Sequence, residues 1–267
     1  MIELEHITKY YTRGVFRKQK SLAVDDVSLT IRSGETLGLV GGSGSGKTTL
    51  GRIALRLIEP SGGTVRFDDV DITKLSRPAM RLLRRRMQII FQDPDSSLDP
   101  RMTIHDCIAE PFTLWHLAGP RETEDRIPEL LEQVGIQPDL ASRYPFEISG
   151  GQKQRVALAR VLALDPSFIV ADEPTAALDL SVQAQVLSLL KDIQQERKLT
   201  LLFISHDLQV IERMSDTIAV MHAGKIVEQG VTSEVLQHPG DPNTARMIAA
   251  AHESEAWFGK ESLVTTE

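Results

Sequence analysis

Eight consecutive residues, Gly41-Gly42-Ser43-Gly44-Ser45-Gly46-Lys47-Thr48, have the types and spacing of a phosphate cradle, the pattern GxxxxGK followed by Ser or Thr. The glycines let backbone N–H groups turn inward around phosphate oxygens. A short apolar strand ends at Val40, and a helical pattern opens at Lys47. The start of that helix adds partial positive charge at the same place. Lys47 is expected to reach the β- and γ-phosphates as a point charge. The Thr48 hydroxyl is expected to ligate Mg2+, with Thr49 next in the nucleotide-contacting run.

A second group lies further on. Phe168-Ile169-Val170-Ala171 delivers Asp172-Glu173 at what reads as the C-terminal end of a buried strand. Ligands of parallel sheets bind at such ends. Asp172 is expected to hold Mg2+, directly or through water. Glu173, one residue on and pointing elsewhere, is placed to polarise an attacking water. An apolar run before Asp-Glu is often only a strand end; the phosphate loop in the same chain gives the pair its meaning.

Between these groups stands Ile148-Ser149-Gly150-Gly151-Gln152, followed by a helical pattern over 153–164. A serine and two glycines at a helix start make either a helix cap or a second anion site. One active site needs one phosphate cradle. A second therefore points to a site shared between two chains.

The elements around these residues alternate. Strand patterns fall at 2–7, 24–32, 35–40, 62–68 and 87–91, with a helix over 47–58. From about 95 the pattern turns helical, with helices over 101–117 and 124–134 separated by Ala118-Gly119-Pro120. Strands return at 168–171 and 200–204, and a terminal hairpin spans 218–222 and 225–229. Strands alternating with helices imply a parallel sheet covered on both faces. The stretch Arg13 to Lys20 is basic and reads as an exposed hairpin tip. Residues after Ala251 read as a polar, fraying tail.

Composition narrows the setting. The formal net charge of -7 argues against non-specific nucleic-acid binding. Arg84-Arg85-Arg86 is the one strong basic cluster and reads as a solvated helix end. The single cysteine, Cys107, fits a reducing compartment. No secretory signal is visible, and no run approaches the length of a membrane span.

In order along the chain, these motifs resemble the ATP-binding cassette family. Ile148 to Gln152 resembles its signature, where Leu is the usual first residue. Gln92 resembles the Q-loop glutamine, Leu178-Asp179 the D-loop, and His206 the switch histidine. Tyr11 resembles the aromatic that stacks on adenine, with Tyr10 as the other candidate. The resemblance covers about residues 2 to 250. It implies an α/β phosphate-loop NTPase fold with a mostly parallel core sheet, an antiparallel β subdomain and an inserted α-helical subdomain. One nucleotide-binding domain is expected over 1–251, with the helical insertion about 95–165 and a tail over 252–267. The cofactors implied are ATP and Mg2+. Thr48, Asp172 and Gln92 would ligate the metal. Glu173, His206, Gln92 and Lys47 would carry the chemistry. Two domains would sandwich two ATP molecules, with the loop of one facing Ser149, Gly150, Gly151 and Gln152 of the other.

Within that family, Phe91-Gln92-Asp93-Pro94, Ser96-Ser97-Leu98-Asp99-Pro100-Arg101-Met102-Thr103 and Arg143-Tyr144-Pro145 resemble the oligopeptide, dipeptide and nickel importer branch. So does Ser181-Val182-Gln183-Ala184-Gln185-Val186. The basic stretch before Ala23 resembles the second ATPase subunit of that branch. Asp241-Pro242-Asn243-Thr244 stands where the branch often has His-Pro-Tyr-Thr. With one cysteine the chain holds no cysteine cluster of the kind that longer peptide-importer ATPases carry, which keeps nickel or another small cargo beside oligopeptides. The branch implies a peripheral position on the cytoplasmic face of the membrane. The implied partners are two integral membrane permease subunits, a paralogous ATPase chain or a second copy, and indirectly an extracytoplasmic substrate-binding protein. Nucleic acid is not expected as a partner. The rival reading is a soluble non-transport ATPase of the same family, acting on nucleic acid or ribosomes. Such proteins usually carry a long coiled coil or two cassettes, and neither is seen here.

Overall fold

The computed structural model describes residues 2–13 and 19–261. The first part of the chain forms β1 (Ile2–Arg13), β2 (Gln19–Ile31), β3 (Thr36–Val40), α1 (Lys47–Ala54), β4 (Gly62–Phe67) and β5 (Val70–Asp71). Then come α2 (Arg77–Arg84), β6 (Met87–Ile90), α3 (Ile104–Trp115), α4 (Pro120–Gln133), α5 (Gly150–Leu162), β7 (Phe168–Asp172) and α6 (Leu180–Arg197). The last part forms β8 (Thr200–Ser205), α7 (Leu208–Met214), β9 (Thr217–His222), β10 (Lys225–Val231), α8 (Thr232–Gln237) and α9 (Pro242–Glu261). These elements gather into two compact units, Met1–Lys74 with Leu202–Glu267, and Leu75–Leu201.

In the first unit, β2, β1, β4 and β5 make an antiparallel sheet in that order. A second set of strands runs β10-β9-β3-β8. β3 and β9 are parallel, with Leu37 opposite Thr217, and β10 returns antiparallel to β9. All five residues of β3 are buried, which is why Thr-Leu-Gly-Leu-Val shows no polar alternation. Each buried Leu or Val side chain contributes roughly 1.5–3 kcal/mol relative to exposure. The Asp216 carboxylate accepts the Thr36 N–H at 2.8 Å and fixes where β3 begins. β1 is longer than its alternation predicts. His6 and Asp26 both take positive φ, 52° and 51°, and their side chains meet at 2.8 Å. The register breaks there, so the strand continues through a bulge that the pattern reads as an end.

In the second unit, β6 and β7 pair in parallel, Met87 opposite Phe168. All five residues of β7 are buried. α5 packs against α3, α4 and α6. The Lys153 ammonium meets Asp95 at 2.7 Å, and Arg160 pairs with Glu110, so α5 is also pinned by charge. α4 starts four residues earlier than the sequence pattern indicates. Gly119 stands at its N-cap and Pro120 at its first position, where a missing N–H costs nothing. α2 is the helix whose end the Arg84-Arg85-Arg86 cluster implied; Ser76 caps it by accepting the Ala79 N–H, and Pro78 lies in its first turn. Arg85 at its end donates to the Leu164 carbonyl at 3.3 Å, so the basic cluster is not wholly solvated.

The C-terminal reading needs correction. The stretch expected to fray after Ala251 begins as the second half of α9, which reaches Glu261. Ala249, Ala250 and Ala251 carry the best helix former through the expected boundary. Most of the basic stretch between β1 and β2 lies outside the described residues. Among the described residues, no helix is long and apolar enough to cross a membrane.

Candidate nucleotide site

The phosphate loop joins β3 to α1 in the first unit. Gly42, Ser43 and Gly44 are exposed, while Lys47 is buried with only 6% of its surface accessible. The Lys47 ammonium donates to the carbonyls of Gly41 and Gly42, at 2.8 and 3.0 Å. It therefore lies folded back along the inside of the loop. Gly46 is required by geometry. Its φ is 109°, and a Cβ there would stand 2.3 Å from the Ala23 carbonyl oxygen.

Two observations fit this loop to a phosphate. First, α1 starts at Gly46 without a side-chain cap, as α4 and α8 do, but α1 does so directly behind the glycine loop. A helix start without a capping side chain, at the end of a glycine loop, suits an anion. Second, the Ser45 hydroxyl is buried within the loop and has no protein partner among the described residues. Thr48 is exposed in the first turn of α1. Beside it, the Thr49 hydroxyl lies 3.4 Å from that of Tyr11, so β1 brings this aromatic to the loop. Tyr10 is also exposed, and its N–H donates to Ser61. His206 belongs to this unit too, exposed just beyond β8 and one residue before Asp207, which caps α7.

The second unit holds the remaining residues. Asp172 ends β7 with 6% of its surface accessible. Glu173 follows with φ of 49°, a left-handed backbone that a non-glycine residue adopts at some cost. That turn re-aims the chain, so the two adjacent carboxylates do not continue strand alternation. Gln92 is exposed beyond β6, next to Asp93, whose side chain accepts the Asp95 N–H. Asp179 of the expected D-loop caps α6 by accepting the Val182 N–H at 3.0 Å. That bond, then one from Ser181, holds its carboxyl below the usual range.

Ser149 is the N-cap of α5, and the helix itself starts at Gly150. Its hydroxyl accepts the Gln152 N–H at 3.3 Å, and the Gln152 side chain accepts the Ser149 N–H at 2.9 Å. The cap reading is thus fulfilled, and it leaves the N–H groups of Gly150 and Gly151 without those partners. Gly151 packs so closely on α6 that a Cβ would lie 2.2 Å from a Val182 methyl. Its lack of a side chain serves packing as well as access.

The family resemblance implies a groove for a permease helix at Gln92 and residues 95–103, Arg101 included. A groove of about 240 Å³ is lined by Phe91, Ser97, Glu110, Leu114, Trp115 and Arg160, among others. Leu114 leaves 54% of its surface exposed there. Ser96 and Ser97 of that segment line it, beside Leu114 and Trp115 of α3.

A glycine loop between a fully buried strand and a helix start, with a buried lysine inside it, has the form of a phosphate-loop nucleotide site. The family model for ABC transporters matches residues 24–176. A probable peptide ABC transporter ATP-binding protein, y4tS of Sinorhizobium fredii, is 47% identical over 94% of this chain and 72% of its own length. The oligopeptide transport ATP-binding protein OppF of Bacillus subtilis is 46% identical over 94% of this chain and 82% of its own. The dimeric post-hydrolysis structure of the cassette MJ0796, bound to ADP and Pi, aligns with a TM-score of 0.78 at 30% identity, covering 87% of this chain and 99% of that one. The chain belongs to the ABC transporter family.

Proposed function

We propose that this chain binds and hydrolyses ATP to power peptide import, as one of two nucleotide-binding subunits of a membrane transporter. The observation that carries the reading is the uncapped start of α1 behind a glycine loop whose lysine is already drawn inside it. The phosphates of ATP would take the N–H groups of α1 and the Lys47 ammonium. Thr48, Asp172 and Gln92 are hard oxygen donors suited to Mg2+. Such donors suit an ion that keeps several of its other ligands as phosphate oxygens and water. When bound, the ion would neutralise charge on the β- and γ-phosphate oxygens. Glu173 would orient and deprotonate the attacking water, and His206 would contact the γ-phosphate.

The second anion site, at Ser149, Gly150 and Gly151, would close over ATP held by a partner chain. That partner is a paralogous ATPase subunit or a second copy. Dimeric MJ0796 supports such an arrangement. Relatives named for peptide or oligopeptide transport favour peptides over nickel as cargo. The groove beside Leu114 and Trp115 would receive a helix of one of two permease subunits. Arg101, expected near that contact, does not line it. The chain would sit on the cytoplasmic face of the membrane, fed indirectly by an extracytoplasmic binding protein.

A mixing experiment tests the shared site. Lys47→Ala and Ser149→Arg chains, each inactive alone, are combined. A mixed dimer retains one composite site with both halves intact, so part of the ATPase activity returns. Proven mixed dimers without any recovery would reject independent shared sites. Import of labelled peptide into cells lacking the chain, compared with nickel uptake, tests the cargo. Co-purification with nucleic acid or ribosomes instead of permeases would favour the soluble alternative.

A further inference from the structure

Lys9 and Tyr11 lie together on β1. The Lys9 ammonium stands over the Tyr11 ring, 5.5 Å from its centroid. The same ammonium donates to the Glu59 carbonyl at 2.6 Å, in the segment that follows α1. The far end of the ring is held as well, because the Tyr11 hydroxyl lies 3.4 Å from the Thr49 hydroxyl on the first turn of α1. The aromatic is thus tied at its edge, covered on one face by a cation, and still 37% exposed.

We propose that Lys9 is a positioning residue for base recognition: it covers one face of Tyr11 and leaves the opposite face as the platform for adenine. The inference rests on Tyr11 being the residue that stacks on the base. Two physical effects follow. A ring already fixed by Lys9 and Thr49 loses little rotamer freedom when the base arrives. A cation on one face also draws π density away from the other, which lowers the repulsion between the two stacked π systems. The Glu59 carbonyl keeps the ammonium over the ring instead of leaving it free to reach the phosphates.

The test separates the base from the phosphates. Calorimetry on the full chain measures binding of Mg-ATP and of Mg-tripolyphosphate, which has no base. Lys9→Met keeps the side-chain length without the charge. It should weaken ATP binding about 2- to 5-fold and leave tripolyphosphate binding unchanged. Lys9→Arg, which retains a cation able to lie over the ring, should bind ATP as the natural chain does. Tyr11→Ala should weaken ATP binding about tenfold, and adding Lys9→Met to it should cost nothing more. Equal losses for ATP and tripolyphosphate would overturn the proposal, because Lys9 would then act on the phosphate site or on the fold. So would additive losses in the double variant, or a normal Lys9→Met beside a weakened Tyr11→Ala. If Tyr11→Ala itself binds ATP normally, the stacking role of Tyr11 fails first, and the role of Lys9 with it.

Discussion

The Ser149 hydroxyl accepts the Gln152 N–H at 3.3 Å while the Gln152 side chain accepts the Ser149 N–H at 2.9 Å, so each residue completes the other's helix cap. Cap and anion contact can be separated by substitution. Ser149→Asp keeps an acceptor at the N-cap, so its stability should stay close to that of the natural chain. Ser149→Ala should lose about 1 kcal/mol. Turnover should fall steeply in the Asp variant, because a carboxylate would face the partner's γ-phosphate. Thermal melts and steady-state ATPase rates read the two effects. Normal turnover in Ser149→Asp would leave the residue a cap and nothing more.

Glu173 follows Asp172 with a left-handed backbone, and its carboxylate is assigned the attacking water. Glu173→Gln should bind ATP normally and hydrolyse it about 100- to 10,000-fold more slowly. Dimers should accumulate with ATP, visible by size-exclusion chromatography. A variant that keeps most of its turnover would transfer the base role elsewhere.

Lys47 holds the Gly41 and Gly42 carbonyls from within the loop. Lys47→Ala removes the cation but leaves the glycine backbone and the uncapped helix start. ATP binding and turnover should both drop while the fold persists, checked by nucleotide titration beside circular dichroism. Unchanged affinity together with unchanged turnover would show that this loop is not the site.

His105 on α3 is flanked by Asp106 at 3.3 Å and by Glu124 of α4 at 3.0 Å. Burial disfavours its charged form, but hydrogen bonds to Asp106 and Glu124, with their charges, prevail and raise its pKa above the ordinary 6.5. A raised folded pKa means that the protonated imidazole stabilises the folded form fully below the unfolded value. That contribution fades as pH rises through the folded value. Thermal stability of the natural chain should therefore decline more than that of His105→Gln between about pH 6 and about pH 8. Parallel curves for the two proteins would contradict the link.

Leu114 is exposed along the groove beside Trp115 and Arg160. If the groove receives a permease helix, Leu114→Asp should impair co-purification with permeases and transport, while basal ATPase activity of the isolated chain survives. Loss of both activities together would mean that the position serves the fold.

The phosphate loop, the acidic pair and the signature stretch were legible because their chemistry is local. Each needs a few residues at fixed spacing next to one strand end or one helix start, and periodicity locates those. The fully buried strands β3, β7 and β8 were visible as short apolar runs for the same reason. Helix boundaries were less legible. Gly119-Pro120 served as a start where it read as a break, and α9 continued through alanines that carry no stop signal.

The sequence by itself determined which residues have the types and local spacing suited to phosphate, metal and water, because those properties are local. Tertiary structure decided what surrounds them. It brought the hydroxyls of Tyr11 and Thr49, 38 positions apart, to 3.4 Å, and laid the Lys9 ammonium between the Tyr11 ring and the Glu59 carbonyl. It built the groove beside Leu114 from residues of α3, α5 and the segment after β6. Such contacts join residues far apart in the chain. They depend on how strands and helices pack, which no local spacing records.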